Sequence, residues 1–235
     1  NRTQQSSRKS LSRIANRGAR AVISDEIRAR KLKKAQRAVD DFVRPNATQI
    51  KETRDSVVDP LRRLVSPKFF STVEGKVVEG LSGVPSPQQG RPVLLVGNHQ
   101  LFGADLSILV DEFLRDRDLL IRGLAHPVAT NAPSLMDQQQ GPRPSPNWWD
   151  DGRQRRGFNG NGDESFFQKF GAVEVTPRNF IRLLQRDECV LLFPGGVRES
   201  NHGKGENNKL FWPEETDFVR AAAKFDAVIV PFGAV

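Results

Sequence analysis

Cysteine is nearly absent: Cys189 is the one thiol in 235 residues. That excludes an internal disulfide framework and a cysteine zinc cluster, and it points to a reducing compartment. No apolar run approaches the roughly 18 residues that a membrane-crossing helix needs. Acidic residues are missing altogether from residues 1–23, a stretch rich in Arg, Ser and Asn. Such a composition resembles the edge of an organelle transit peptide. There is no initial Met, and the chain stops at Pro231-Phe232-Gly233-Ala234-Val235, straight after an apolar run; both ends are read as cut, the carboxyl end of the main domain included.

What is present is unevenly spread. The net charge is +8. Residues 1–68 hold 18 Lys/Arg against 7 Asp/Glu, a net of +11, and the remainder holds 18 against 21, a net of −3. A basic extension therefore precedes a nearly neutral domain. It suits anionic lipid, a neighbouring protein or nucleic acid, or it is a solvated helical arm. Basic residues without interleaved aromatics speak against nucleic acid.

Periodicity and punctuation divide the chain at Ser66-Pro67. Residues 1–66 read as the basic helical extension and residues 67–235 as the main domain. Ser24-Asp25-Glu26 starts a helix that stops before Arg44-Pro45, and a second helix runs from Thr48 through Leu64, kinked at Pro60. Asn46-Ala47-Thr48 matches a glycosylation sequon and is read as chance. In the main domain, Phe69 to Val78 has strand character. Val93 to Val96, Leu119 to Ile121, Ala172 to Val175, Cys189 to Phe193 and Ala227 to Val230 read as short strands. Helices open at Asp105 and Thr176, close at Gly171, and span Asp217 to Phe225. Short apolar strands alternating with helices predict an α/β fold with a mostly parallel central sheet flanked by helices. Residues 131–163 break this pattern as a long Pro/Gly/Asn/Gln-rich loop that carries Trp148-Trp149. Loops of that length are functional or disordered, and the tryptophans either dip into a membrane interface or pin the loop to the body.

The chemistry-bearing stretch is Val93-Leu94-Leu95-Val96-Gly97-Asn98-His99-Gln100-Leu101-Phe102-Gly103-Ala104-Asp105. His99 follows a buried strand at its carboxyl end, where open α/β sheets carry ligands. The turn is short enough for Asp105 to reach back to the imidazole. A histidine oriented by a carboxylate is a general base for a hydroxyl; the alternative is a satisfied histidine in a strand–helix turn. Arg178 and the run Gly195-Gly196-Val197-Arg198-Glu199 follow two further strands. A glycine pair lets backbone amides approach a ligand, and an arginine offers a forked cation to phosphate or carboxylate.

In this order the motifs resemble those of the glycerolipid acyltransferases: Asn98-His99 to Asp105, Phe170-Gly171-Ala172-Val173 with Pro177-Arg178, Phe193-Pro194-Gly195-Gly196-Val197-Arg198, and Val230-Pro231. Within that superfamily the chain is most similar to the plastid phytyl ester synthase/diacylglycerol acyltransferase group. Arg122-Gly123-Leu124-Ala125-His126-Pro127, Lys204-Gly205-Glu206 and Lys209-Leu210-Phe211-Trp212-Pro213 look like that group, as do five residues between His99 and Asp105 and Gly195 in place of the general family's Glu. The likeness covers roughly residues 67–235. The hydrolase-like domain that often precedes this part in the group is not seen, since no Gly-x-Ser-x-Gly elbow occurs.

The resemblance implies acyl transfer from a thioester to an alcohol, diacylglycerol or phytol, at a plastid membrane such as the thylakoid, with triacylglycerol or phytyl ester as product. It implies His99 as base, Asp105 as its orienter, and Asn98, Arg178, Gly195, Gly196, Arg198 and Glu199 as substrate-binding residues, the glycine amides holding the oxyanion. Glu199 either braces Arg198 or meets substrate. His126 and His202 read as structural and Cys189 as core. No metal or resident cofactor is implied; the acyl-CoA or acyl-carrier-protein thioester is a donor substrate. The partners implied are lipid and a membrane surface. The alternative is a non-catalytic acyltransferase-like subunit held by residues 1–66 in a larger plastid membrane assembly.

Overall fold

The computed structural model describes residues 29–30, 33, 38–100, 105–126, 166–206 and 209–234. The chain falls into two units, Asn1–Asp41 and Phe42–Val235. In the first unit, residues 29–30, 33 and 38–40 are helical and the helix has ended at Asp41. The acid-free residues 1–23, the turn residues 101–104 with Gly103, and the loop 131–163 with its two tryptophans lie outside the described residues.

The second unit opens on helix α1 (Ala47–Thr53), which carries a reciprocal cap. Asn46 Oδ1 accepts the Gln49 N–H at 3.0 Å, and Gln49 Oε1 accepts the Asn46 N–H at 2.9 Å. The asparagine of the sequon thus serves as a helix cap. A π-helical turn, Arg54–Val58, leads into α2 (Asp59–Val65). Pro60 has no N–H to donate, and the helix ladder widens just ahead of it. The kink read at Pro60 is this wider turn. Ser66, in the left-handed region at φ 45°, ends α2.

The stretch from Phe69 to Val78, which has strand character, forms a hairpin that extends to Glu79. β1 (Phe70–Val73) pairs antiparallel with β2 (Lys76–Glu79). Glu74 and Gly75 between them have φ of 50° and 78°, as a two-residue type I′ turn requires.

The central sheet comprises β3 (Val93–Gly97), β4 (Arg122–Ala125), β5 (Val173–Glu174), β6 (Cys189–Leu192) and β7 (Val228–Phe232). The order is β5-β4-β6-β3-β7 and every pairing is parallel. The flanking helices are α3 (Asp105–Arg117), α4 (Phe166–Lys169), α5 (Pro177–Gln185), α6 (Gly196–Ser200) and α7 (Asp217–Lys224). The predicted α/β class with a parallel sheet is borne out. Strands of a parallel sheet are covered on both faces and read as continuous apolar runs. That holds for β3, buried throughout, and for Cys189-Val190-Leu191 of β6. The last strand runs Val228–Phe232 rather than Ala227 to Val230, since β3 offers pairing as far as Gly97 opposite Phe232.

Strand β4 differs more from its sequence-based reading. Leu119 still donates its N–H back to Phe113 O of α3 at 3.2 Å, so the apolar triplet Leu119-Leu120-Ile121 is the run-in. The strand starts at Arg122, paired with Val190. Arg122 is 1% exposed. Its Nε donates to Gly171 O at 2.9 Å, its Nη1 meets Glu188 at 3.4 Å, and its guanidinium lies 4.3 Å from the Phe42 ring centroid. Burial draws its pKa down while Glu188 opposes that pull. Gly171, at φ +79°, ends α4 in the left-handed turn expected of a C-terminal stop.

Because all five strands are parallel, their carboxyl ends share one edge. β3 and β6 are neighbours, so His99 and the run Pro194-Gly195-Gly196 emerge side by side.

Candidate active site

The site is built on the segment directly after β3. A side chain at Gly97 would overlap the Phe232 ring, which lies 2.4 Å from where a Cβ would stand. Asn98 then clamps the chain beyond β7. Its Nδ2 donates to Ala234 O and its Oδ1 accepts the Ala234 N–H, both at 2.7 Å. The Asn98 amide, expected to meet substrate, is engaged at both ends by backbone 136 residues away.

His99 and Asp105 come together as the spacing suggested. Nδ1 of His99 lies 3.1 Å from Asp105 Oδ2. The carboxylate is itself fixed: Oδ2 accepts the Gln100 N–H at 2.7 Å and Oδ1 accepts the Leu106 N–H at 2.9 Å. The imidazole stacks on Phe193 with centroids 4.0 Å apart and planes 11° apart, and Phe193 in turn meets Phe232 edge-on at 5.8 Å. The ring is therefore held in its plane by stacking and about its axis by Asp105. Among the described residues nothing bonds to Nε2, so the ring presents that nitrogen for proton transfer. Sequence reasoning missed Phe193 as a partner of His99; its place right after β6, at the head of Pro194-Gly195, was the available signal.

Glu199 is fully buried at 0% exposure. Its Oε2 accepts the His99 N–H at 3.1 Å and its Oε1 accepts the Phe211 N–H at 3.2 Å. Neither of the two roles read for it, brace of Arg198 or substrate contact, matches that position. Arg198 instead pairs with Glu206 at 2.5 Å and lies 4.0 Å from the centroid of Phe211. Arg198 and the Gly203 N–H hold the Glu206 carboxyl below the usual range. Gly196, at φ +52°, donates its N–H to Phe193 O at 3.0 Å, so of the two glycine amides the one at Gly195 is the candidate for an oxyanion.

Arg178 is not brought to this cluster. It is exposed in the first turn of α5, just beyond β5, whose N-terminal cap is Thr176. β5 is three strand positions from β3, roughly 14 Å across the sheet at the usual strand spacing.

His202 Nε2 meets Lys209 O at 2.8 Å and its ring packs on Phe211. His126 follows β4 and is exposed. Cys189 is buried in β6, where burial pushes its thiol up to about 12, so it stays protonated and unreactive at neutral pH. Among the described residues no cluster of three His, Cys, Asp or Glu side chains could hold a metal, and no helix is long and apolar enough to cross a membrane. A small apolar pocket lies elsewhere, between α1, the π-turn and α3, lined by Ile50, Val58, Leu106, Val110 and Phe170. Leu106, next to Asp105, is its nearest approach in sequence to the His99 cluster.

No family model and no solved structure matches the chain. Two curated proteins do. Phytyl ester synthase 1, chloroplastic, of Arabidopsis thaliana is 41% identical over 198 residues, covering 84% of this chain and 25% of that protein. Phytyl ester synthase 2, chloroplastic, of the same organism is 39% identical over 204 residues, with the same two coverages. The chain spans about a quarter of the length of these relatives. The family likeness read from the motifs is thereby borne out: over the matched residues the chain is homologous to a segment of the phytyl ester synthases.

Proposed function

We propose that this chain is the acyl-transferring part of an ester-forming O-acyltransferase of the plastid, moving a fatty acyl group from a thioester to phytol. The observation that carries the reading is the His99–Asp105 pair, 3.1 Å apart on a ring stacked against Phe193. The names of the two relatives, chloroplastic phytyl ester synthases, support the product class and the compartment.

In the reaction, His99 Nε2 takes the hydroxyl proton as the alcohol oxygen attacks the thioester carbonyl. Asp105 accepts from Nδ1–H and stabilises the imidazolium that forms. The Gly195 amide faces the developing oxyanion, a contribution of about 3 kcal/mol for one such donor. Collapse of the tetrahedral intermediate breaks the carbon–sulfur bond, and the imidazolium returns its proton to the departing thiolate. The donor is acyl-CoA or acyl-carrier protein, and no resident cofactor takes part. Diacylglycerol is the second acceptor, giving triacylglycerol.

The setting is a membrane surface such as the thylakoid, where both acceptors partition. The basic residues 1–41 bind anionic lipid there, or a neighbouring subunit. Removing residues 1–41 keeps Phe42 on Arg122 and the Arg44–Asp118 ion pair. The shortened protein is expected to lose sedimentation with anionic vesicles and to keep its fold. For the full chain this binding weakens as salt rises, since the screening length is about 8 Å at physiological ionic strength. Unchanged sedimentation across salt contradicts that role.

The reaction is tested by incubating purified protein with phytol or diacylglycerol and each thioester donor. Ester formation by wild type and its loss in His99→Ala is the expected result. No ester from any pair, or full turnover in His99→Ala, overturns the reading.

A further inference from the structure

Glu199 is the one buried carboxylate at the site that the reaction above leaves without a task. Among the described residues no cation pairs with it, and Arg198 is taken by Glu206. A buried carboxyl group keeps its place only where hydrogen bonds replace its lost solvation. Here the two donors are backbone amides from different segments, His99 at 3.1 Å and Phe211 at 3.2 Å. Glu199 sits on α6, so it joins three pieces of chain: the turn that carries the base, the turn after β6, and the segment after Asn201.

That last segment is internally tied. Arg198 lies over Phe211 and bonds Glu206, Gly203 donates to Glu206 Oε2 at 2.7 Å, and His202 bonds Lys209 O. Its connection to His99 is the Glu199 carboxylate. The glycine at 195 belongs to the same device. A Cβ at Gly195 would stand 2.6 Å from Glu199 Cβ and 2.7 Å from Oε2. Glu199 therefore occupies the space a side chain at 195 would need.

We infer that Glu199 is a positioning residue for the proposed base: its carboxylate fixes the His99 backbone against the segment ending at Phe211, and Gly195 is required to leave it room. The inference rests on the acyltransferase reading for its catalytic consequence and on geometry alone for the link itself. Glu199 touches neither the imidazole nor its reactive nitrogen, so its loss alters where the base stands and not what the site binds.

The test uses the 235-residue chain with Glu199→Gln, Glu199→Leu and Gly195→Ala. Glutamine keeps the shape and one acceptor oxygen but sets an NH2 against an amide donor. Leucine fills the space and accepts nothing. Gly195→Ala leaves Glu199 in the chain and displaces it. With phytol and palmitoyl-CoA, kcat is expected to fall in the order wild type, Gln, Leu, by about 10²-fold for Leu as for a base misplaced by about 1 Å. KM for both substrates is expected to stay within about threefold, since only transition-state geometry is lost. Gly195→Ala is expected to reproduce the kcat loss. Amide hydrogen exchange supplies a readout independent of turnover. The His99 and Phe211 amides are expected to exchange faster in the Leu variant while Val190 and Leu191 of β6 keep wild-type protection. Wild-type kcat in folded Glu199→Leu overturns the inference, as does a rise in KM that accounts for the whole loss. Unchanged His99 and Phe211 exchange, or faster exchange throughout β6, overturns it equally. If wild type makes no ester, the enzyme reading fails, and the exchange arm still decides whether Glu199 holds His99.

Discussion

Two aspartates of one helix, Asp105 and Asp111, are six residues apart on α3 and live in opposite surroundings. Asp105 meets a single imidazole and two backbone amides. Asp111, 4% exposed at its side chain, faces three guanidiniums: Arg54 at 2.5 Å, Arg115 at 2.6 Å and Arg62 at 3.5 Å. Arg62 also holds Glu112 and Arg115 holds Asp59, so the network ties α2 and the π-turn to the middle of α3. A carboxylate saturated with cations has nothing left to give a substrate; it fastens one element to another. A carboxylate beside one imidazole fixes the orientation of that ring. The same residue type thus serves anchoring at one point and prospective chemistry less than two turns away, and the partners decide which.

The largest effect expected of any single change is on turnover. His99→Ala removes the proposed base and should lower kcat by about 10²- to 10⁴-fold. Its melting temperature should stay close to wild type, because the strand and helix around it do not depend on the ring. Steady-state kinetics and a thermal melt on the same sample check both halves.

At the anchoring end, Asp111→Ala leaves Arg54, Arg62 and Arg115 crowded without their shared anion. Breaking a buried pair from one side costs about 3–5 kcal/mol. The outer guanidiniums are partly exposed, which places the expected loss toward the lower figure. Urea denaturation measures it, and a loss under about 1 kcal/mol, the level of a surface ion pair, would show that the network is not an anchor.

Gly97→Ala should be smaller, about 1–3 kcal/mol for overpacking, because its new methyl meets the Phe232 ring. Phe232→Leu should relieve part of that cost in the double variant. Additive losses in a denaturation cycle would show that the two positions are not coupled.

The last effect is confined to alkaline pH and comes from Cys189. Burial raises the folded thiol from an ordinary 9.0 to about 12. Between these values the unfolded chain sheds this proton and the folded chain keeps it. The thiol's contribution is whole below pH 9 and declines as pH rises toward 12, by about 1.4 kcal/mol per unit. Cys189→Ala should flatten that part of the alkaline stability curve. An unchanged slope would mean that other groups govern it.

These regions also differ in how far they could be read from sequence. The apolar runs of β3 and β6 announced themselves, since strands covered on both faces need aliphatics throughout. The His99–Asp105 pair was equally legible, because its partners are local, six residues apart in the chain. Strand β4 was misplaced because its first residue is a buried arginine, satisfied by Gly171, Glu188 and Phe42, none of which hydropathy connects to it. The roles of Asn98, Arg198 and Glu199 were hidden for the same reason. Asn98 is spent on Ala234, 136 residues on, and Glu199 on His99, 100 residues back. Arg198 chose Glu206 over its neighbour Glu199 because the chain folds back at Gly203 and Gly205. Local spacing exposes pairs within a turn; partners set by the sheet order appear only in the fold.

The central claim is that Asp105 orients the proposed base while Asp111 only anchors, and paired asparagine substitutions test it most directly. Each keeps the side chain's shape and removes its charge. Asp105→Asn is expected to lower kcat for phytyl ester formation by about 10²-fold or more, through loss of imidazolium support, with its denaturation midpoint close to wild type. Asp111→Asn is expected to lower the midpoint and leave kcat of the folded protein unchanged. Wild-type turnover in Asp105→Asn, or the same mixed loss of rate and stability in both variants, would contradict the account.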